Sequence, residues 1–327
     1  MSFRYAIIFL STFGLLSCAS LSTDLPEITQ PNLNDERNSQ VSAALQNQHE
    51  YLERLTRVAK PILTENAEIC PRVRPYYGLS THSLKSYSKH IRTEVERLSS
   101  LSEEPRVRMI VPDSPVALAG FQEGDMILGA DDTPISASAL RKQDTAENGR
   151  KEVKIKRGED IMSLTVETTP TCDYALKLRS SDAVNAYATG SAIIITTGMM
   201  DFTTRDEELA AIIGHELAHN TLAHVRKITT NLVLSGFATR YTRPFESEAD
   251  YVGLYYAARA GYDMKDVEDI WRRIGARHPR NIGRAKTHPT TADRFLRLKA
   301  AYEEIEAKRA AGRPLIPNFI STSDDKS

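Results

Sequence analysis

Apolar and polar positions change period three times along the chain. From Asp35 to Ala67, Val41, Leu45, Leu52, Leu55, Ala59 and Leu63 keep to one face at helical spacing. They predict an amphipathic helix that Pro61 kinks or breaks, closed by "CPRVRP". Between residues 71 and 172 the period falls towards two. "RVRMIVP" reads as a strand, Val116 to Ala119 as a short helix ended by Gly120, and Met126 to Ala130 as a strand after a turn at Glu123-Gly124-Asp125. "EVKIKRGEDIMSLTVETT" reads as a hairpin turning at Arg157-Gly158. After Asp173 comes another hairpin around Gly190, with a strong strand from Ile193 to Thr197. Four helices follow. The first is long, with Thr204 as N-cap, and runs through "HVRKI"; the second covers "RPFESEADYVGLYYAARAG". The third begins at Asp263 and ends near Arg277, and the last runs from Thr290 to Ala311. Residues 19–34 read as a flexible tether, and the Pro-containing tail 313–327 as disordered. No internal repeat is evident.

The extreme N-terminus has its own pattern. Arg4 precedes an uncharged run from Tyr5 to Leu16, too short to span a bilayer but right for a secretory segment. It ends in "LLSC", which resembles a bacterial lipoprotein signal over residues 1–17. The resemblance implies lipidation of Cys18, and Ala19 after it favours the outer membrane. No later segment is apolar for long enough to cross. The chain is therefore expected to be lipid-anchored in the bacterial cell envelope and to face the periplasm.

Composition adds mainly exclusions. The 327 residues are 41% apolar, enough for a substantial core. Lys+Arg (42) nearly balances Asp+Glu (43), and no basic stripe interleaves with aromatics, which argues against a nucleic-acid partner.

Within residues 71–172, the series Ser114, Pro115, Ala117, Ala119, Gly120, Gly124, Asp125 and Ile127 resembles a PDZ domain. That resemblance puts Tyr76, Tyr77, Gly78 and Leu79 where PDZ domains bind a peptide carboxylate, although the loop lacks the usual second glycine. It also implies adjacent ends. Cys70 and Cys172, an even pair in an exported chain, then become a disulfide candidate at the root of the insertion. The alternatives are a PDZ fold used only as a spacer, and two free buried thiols.

The chemistry gathers in "IIGHELAHNTLAH", residues 212–224. His215 and His219 are four apart, about 40° around a helix, so both imidazoles leave one face and can share a zinc ion. Glu216 lies beside them as a general base. This motif alone arises by chance on the order of once in a hundred chains of such length. His224, nine residues past His215, falls about 180° away on a continuous helix, and no glycine breaks the stretch. It is not expected to be a ligand. Downstream, Glu246 and Asp250 share another helical face. Glu246 can complete the ligand set and Asp250 can fix a histidine tautomer; the alternative is a solvated acidic face, the expected place of Glu248.

The combination "NAYATG…ITTGMMDF…DEELAAIIGHELAHN…ESEAD" resembles the zinc metallopeptidase family that includes the CAAX prenyl protease, HtpX and the BepA-like enzymes. It covers about residues 173–300 and the helix before the insertion. The resemblance implies one zinc on His215, His219 and Glu246, Glu216 as base and Asp250 behind the ligands. "THPTTADR" resembles the family's late histidine–arginine element. There His288 stabilises the oxyanion or occludes the metal, with Arg294 beside it; a helix-capping turn is the alternative.

The expected fold is α+β: a mostly helical gluzincin-type domain with a small β-hairpin sheet (35–70 and 173–312) and an inserted PDZ-like β-barrel (71–172). The expected activity is zinc endopeptidase action on misfolded or misassembled envelope proteins, with peptide substrate added along Ile193–Thr197 and residues 229–242 as a lid. The rival is a latent peptidase acting as a PDZ-based, chaperone-like assembly factor. A small-molecule hydrolase is the third reading.

Overall fold

Helix α1 (Gln30–Thr64) continues past Pro61. The proline removes one ladder bond, but Val58, Ala59, Ile62 and Leu63 around it are buried in a large core and hold the turn in place. The helix starts inside the stretch expected to be a tether. The structure is a computed structural model, and it describes residues 25–142, 149–234, 243–277, 279 and 290–318. The signal segment, Cys18, His288 and the later part of the expected lid lie outside the described residues. Two units are distinguished, residues 1–40 and 41–327. The first holds the start of α1; the inserted module and the candidate site both belong to the second.

An inserted module departs after Cys70. It comprises β1 (Val73–Tyr76), β2 (Leu79–His82), α2 (Arg92–Ser99), β3 (Arg106–Ile110), α3 (Pro115–Leu118), β4 (Met126–Leu128), β5 (Pro134–Ile135), α4 (Ala137–Lys142), β6 (Arg150–Arg157), β7 (Asp160–Glu167) and β8 (Thr169–Cys172). All its pairings are antiparallel: β1 with β8, β2 with β3, and the sheet β5-β4-β6-β7. Alternation buries Val153 and Ile155 of β6 with Val107, Val116, Ile127 and Val166. Helix α2 was not legible in the strand pattern; Val95 anchors it, with Leu84 and Leu101, in a small cluster that Val41 of α1 joins. Cys70 and Cys172 form the disulfide at the module's root, with their Cα atoms 5.6 Å apart across a sequence separation of 102. Closing a loop of that size stabilises by about 4–5 kcal/mol in the chain-entropy view.

The host resumes with β9 (Ala175–Arg179), β10 (Ala186–Ala188) and β11 (Ala192–Thr196), then α5 (Thr197–Phe202) and α6 (Asp206–Thr221). Helices α7 (His224–Leu234), α8 (Arg243–Arg259), α9 (Asp269–Arg277) and α10 (Thr291–Ala310) complete it. The mixture agrees with the α+β expectation, and the described helices include none long and apolar enough to cross a membrane. Three boundaries differ from the sequence reading for local reasons. Thr204 does not cap α6; instead the Glu208 carboxylate reaches back to accept the Thr204 N–H at 3.1 Å. Helix α9 starts after Asp266, whose φ of 58° interrupts helical geometry. The tail up to Asn318 is docked rather than disordered: Leu315 packs on the core, and Lys308 Nζ donates to the Ile316 carbonyl at 2.6 Å.

Candidate metal centre

Two helices build the site. Helix α6 carries His215, Glu216 and His219, and α8 carries Glu246 and Asp250; all five are at least nine-tenths buried. The helices meet through paired glycines. A Cβ on Gly214 would overlap the Gly253 carbonyl, and one on Gly253 would come within 2.5 Å of the His215 nitrogen. Only hydrogen at both positions lets the backbones close far enough for Glu246 to reach the histidines.

His215 Nε2 and His219 Nε2 lie 3.1 Å apart, and Glu246 oxygens lie 3.7 and 3.5 Å from them. A tetrahedral zinc with bonds of about 2.0–2.1 Å sets ligand atoms about 3.3 Å apart, so the three donors fit that ion. Among the described residues this is the one three-ligand cluster of its kind.

The rear nitrogens fix the tautomers. His215 Nδ1 is 2.9 Å from Asp250 Oδ1, and a carboxylate only accepts, so Nδ1 carries the proton and Nε2 keeps its lone pair. On the second ligand, His219 Nδ1 is 3.1 Å from His224 Nδ1, and His224 Nε2 is 2.9 Å from Glu248 Oε2. Glu248 accepts from His224, the neutral His224 then accepts from His219, and His219 Nε2 is again free to ligate. This relay overturns the helical-phase reading. The helix ends at Thr221, Ala223 adopts φ 55° without being glycine, and His224 opens α7 folded back against His219. His224 is a support, not a ligand, and Glu248 is its partner rather than an idle surface acid.

Arg294 also changes role. Its side chain is 5% exposed and grips Asp250 through two bonds, Nε–Oδ2 at 2.7 Å and Nη2–Oδ1 at 2.5 Å, with its guanidinium over Trp271. It sits behind His215, away from the reacting atoms, and positions Asp250 instead of contacting substrate. Its 3.4 Å approach to His215 Nδ1 is not a donor–acceptor pair, because that nitrogen already carries a proton.

Electrostatics follow the geometry. Burial raises the Glu216 carboxyl, with the Glu246 charge adding to the rise, and His215 opposes it; a raised carboxyl is what a general base near neutrality needs. Burial, with His215 beside it, lowers His219 to about 3 and keeps it neutral. For His215 burial pulls downward, but the Asp250 bond and charge outweigh it and raise it. Burial would raise Asp250, yet Arg294 and His215 hold it well below the carboxylate range.

Strand β11 cannot accept an added strand, since β10 and β9 flank it on both sides. The edge beside the site is β10. Asn185 and Thr189 use their backbone groups on β11, at 3.1 and 3.0 Å, so alternation turns the backbone groups of Ala186 and Ala188 outward. Asn220, which the sequence reading passed over, locks this hairpin to α6: its Oδ1 accepts the Gly190 N–H at 2.7 Å and its Nδ2 donates to the Ala192 carbonyl at 3.0 Å. Its place directly after the second histidine was the available signal.

Two histidines and a carboxylate converge on one point with a buried glutamate alongside, an arrangement that fits a hydrolytic metal centre. Residues 159–237 and 228–302 match the model of Peptidase family M48. The mitochondrial metalloendopeptidase OMA1 of Arabidopsis thaliana is 25% identical over 223 residues, 58% of this chain and 46% of that protein. OMA1 of Schizosaccharomyces pombe is 24% identical over 147 residues, 37% of this chain and 44% of that one. The chain thus spans less than half the length of these curated relatives. The matches are to metallopeptidases, and the donor set His215, His219 and Glu246 could hold a metal ion such as zinc. Among solved structures, the HtrA3 PDZ domain bound to a phage-derived ligand aligns over 30% of this chain and 89% of its own, at 19% identity and a TM-score of 0.24; a score that low carries no argument.

Proposed function

We propose that this protein is a zinc-dependent endopeptidase, lipid-anchored through Cys18 in the bacterial envelope and facing the periplasm, that cleaves misfolded or misassembled envelope proteins. The observation that carries the reading is the convergence of His215, His219 and Glu246 with Glu216 buried next to them. A zinc ion held by His215, His219 and Glu246 would supply Lewis-acid chemistry there. Glu216 takes a proton from the attacking water at its carboxylate and returns it to the departing amine nitrogen. Asp250 and the His224–Glu248 pair keep the two imidazoles oriented, so no reorganisation is needed as charge develops. An extended substrate fits the edge of β10 that pairs with no other described strand, next to helix α6. The resemblance of residues 71–172 to PDZ domains supports recruitment of the substrate by the module.

Glu216→Gln is the test. The variant should retain one zinc per chain and lose peptide hydrolysis by at least about a hundredfold, the scale of general-base catalysis. Undiminished hydrolysis of an unfolded envelope-protein substrate by that variant would remove the peptidase reading.

A further inference from the structure

The turn between β10 and β11 is gripped from two sides. Gly190 in that turn has φ 87°, a left-handed value that glycine adopts without strain. The strand pairs end at Ala188 with Ile193, so neither the N–H nor the C=O of Gly190 belongs to the ladder, and both groups need other partners. Asn220 of α6 accepts the N–H at 2.7 Å. The carbonyl goes to the inserted module instead: Arg72 Nη2 donates to it at 3.3 Å.

Arg72 belongs to the neck through which the module joins the host. It lies two residues past Cys70, whose disulfide partner Cys172 pairs with Val73 across β1 and β8. Its own carbonyl accepts the Asp173 N–H at 2.9 Å, and its Nη2 also donates to the Asp173 carbonyl at 3.2 Å. The guanidinium stacks 4.9 Å over the ring of Tyr174, a buried residue. Although exposed, the side chain is therefore held along the neck, and reaching Gly190 costs it little further rotamer freedom. A backbone bond runs the same way, from the Ala175 N–H to the Ser191 carbonyl at 2.9 Å.

The turn matters because of what it joins. It closes β10, whose other edge pairs with no described strand, and Asn220 directly follows the ligand candidate His219. One short turn thus sets the substrate edge against the metal centre, and small misplacements of a substrate-positioning element are costly in catalysis.

We propose that Arg72 is a positioning residue: through its bond to the Gly190 carbonyl, the neck of the module holds β10 in place for a peptide added along that edge. Arg72 acts through the turn and touches neither the metal ligands nor the peptide. The class of substrate it serves follows. Chains long and extended enough to lie along β10 depend on Arg72, and short peptides held at the metal centre alone do not. The assignment rests on the peptidase reading above.

The experiment compares the zinc-loaded full chain with its Arg72→Gln and Arg72→Lys variants. Hydrogen exchange needs no turnover and reads the turn directly. In Arg72→Gln the amides of Thr189 and Gly190 should exchange faster by about threefold to tenfold, the worth of a charged-donor bond after solvent screening. The amides of α6 should keep their rates. Lysine retains a cation that can donate to one carbonyl, so Arg72→Lys should exchange more slowly at the turn than Arg72→Gln. Hydrolysis is then read with one long unfolded peptide and one short peptide. For the long one, Arg72→Gln should raise KM by about threefold to tenfold and leave kcat within about twofold; the short one should show neither change. The thermal midpoint should move by no more than about 4 °C. An arginine with a merely structural role would lower the midpoint and weaken both peptides alike. That result, or unaltered exchange at the turn, overturns the assignment. If the unsubstituted chain cleaves neither peptide, the peptidase reading fails by itself, and exchange still decides whether Arg72 holds the turn.

Discussion

Replacing Arg294 by methionine removes the guanidinium that holds Asp250 while keeping an apolar stem of similar length against Trp271. Asp250 is 3% exposed and Arg294 5%, so solvent screens the pair little. Orphaning one member of a buried ion pair costs about 3–5 kcal/mol. Losing the guanidinium over the indole adds about 0.5–2 kcal/mol. The expected loss of roughly 3.5–7 kcal/mol is a large part of the roughly 5–15 kcal/mol that holds a domain together. Urea denaturation of the full chain should register it, with a thermal midpoint lower by roughly 10–20 °C. Zinc affinity, read by chelator competition, should fall about 10–100-fold, because Asp250 no longer holds His215 in its ligating tautomer. Adding Asp250→Asn to Arg294→Met removes the stranded charge and leaves an amide oxygen to accept from His215 Nδ1. The double variant should therefore be more stable than Arg294→Met alone. If the two single losses simply add, to within about 0.5 kcal/mol, the pair is not coupled and the positioning role assigned to Arg294 fails.

The same geometry sets three further outcomes. Gly214→Ala gains about 1 kcal/mol of helix propensity, but its Cβ meets the Gly253 backbone, which cannot yield as a side chain would. Net destabilisation of about 1–3 kcal/mol is expected, with weaker zinc binding as α8 moves off; a more stable alanine variant would contradict the close crossing. His224→Phe keeps the ring volume but deprives His219 of its acceptor, and zinc affinity should drop about 10–100-fold while the fold survives. Unchanged affinity would mean the relay from Glu248 does nothing for the metal. For Glu208, burial pushes the carboxyl up, but the Arg273 bonds and charge, with the Arg205 and Thr204 backbone, outweigh it and lower it. A carboxyl with a depressed folded value stabilises fully above its unfolded value, near about 4.3, and that stabilisation disappears as pH falls through the folded value. Glu208→Gln should flatten the acid limb of the stability–pH curve below about pH 5; an unaltered limb would show that the Arg273 pair contributes nothing there.

Whatever depends on local spacing was already decided along the chain. Four-residue separations put His215 with His219, and Glu246 with Asp250, on single helical faces, because the α-helix repeats every 3.6 residues. The strand pattern revealed β3, β4, β6 and β7 of the module but not β1, β2, β5 or β8, and the adjacent ends that the PDZ resemblance implies made the Cys70–Cys172 bond legible. What local spacing could not carry was any place where the backbone left its expected path. Ala223 turns left-handed without glycine to mark it, so a helix that reads as continuous breaks, and His224 swings from the far side of the axis to the back of a ligand. Arg294 belongs to α10, and only tertiary packing brings it behind His215 instead of into the cleft. The free edge at β10 rather than β11 depended on which strands paired, and the two-glycine contact of α6 with α8 depended on how two helices cross. The bond from Arg72 to the Gly190 carbonyl is the furthest case, across a sequence separation of 118. Arg72 looks like an ordinary surface charge along the chain, and only the pairing of β1 with β8, which returns the insertion to its root, brings it to the turn.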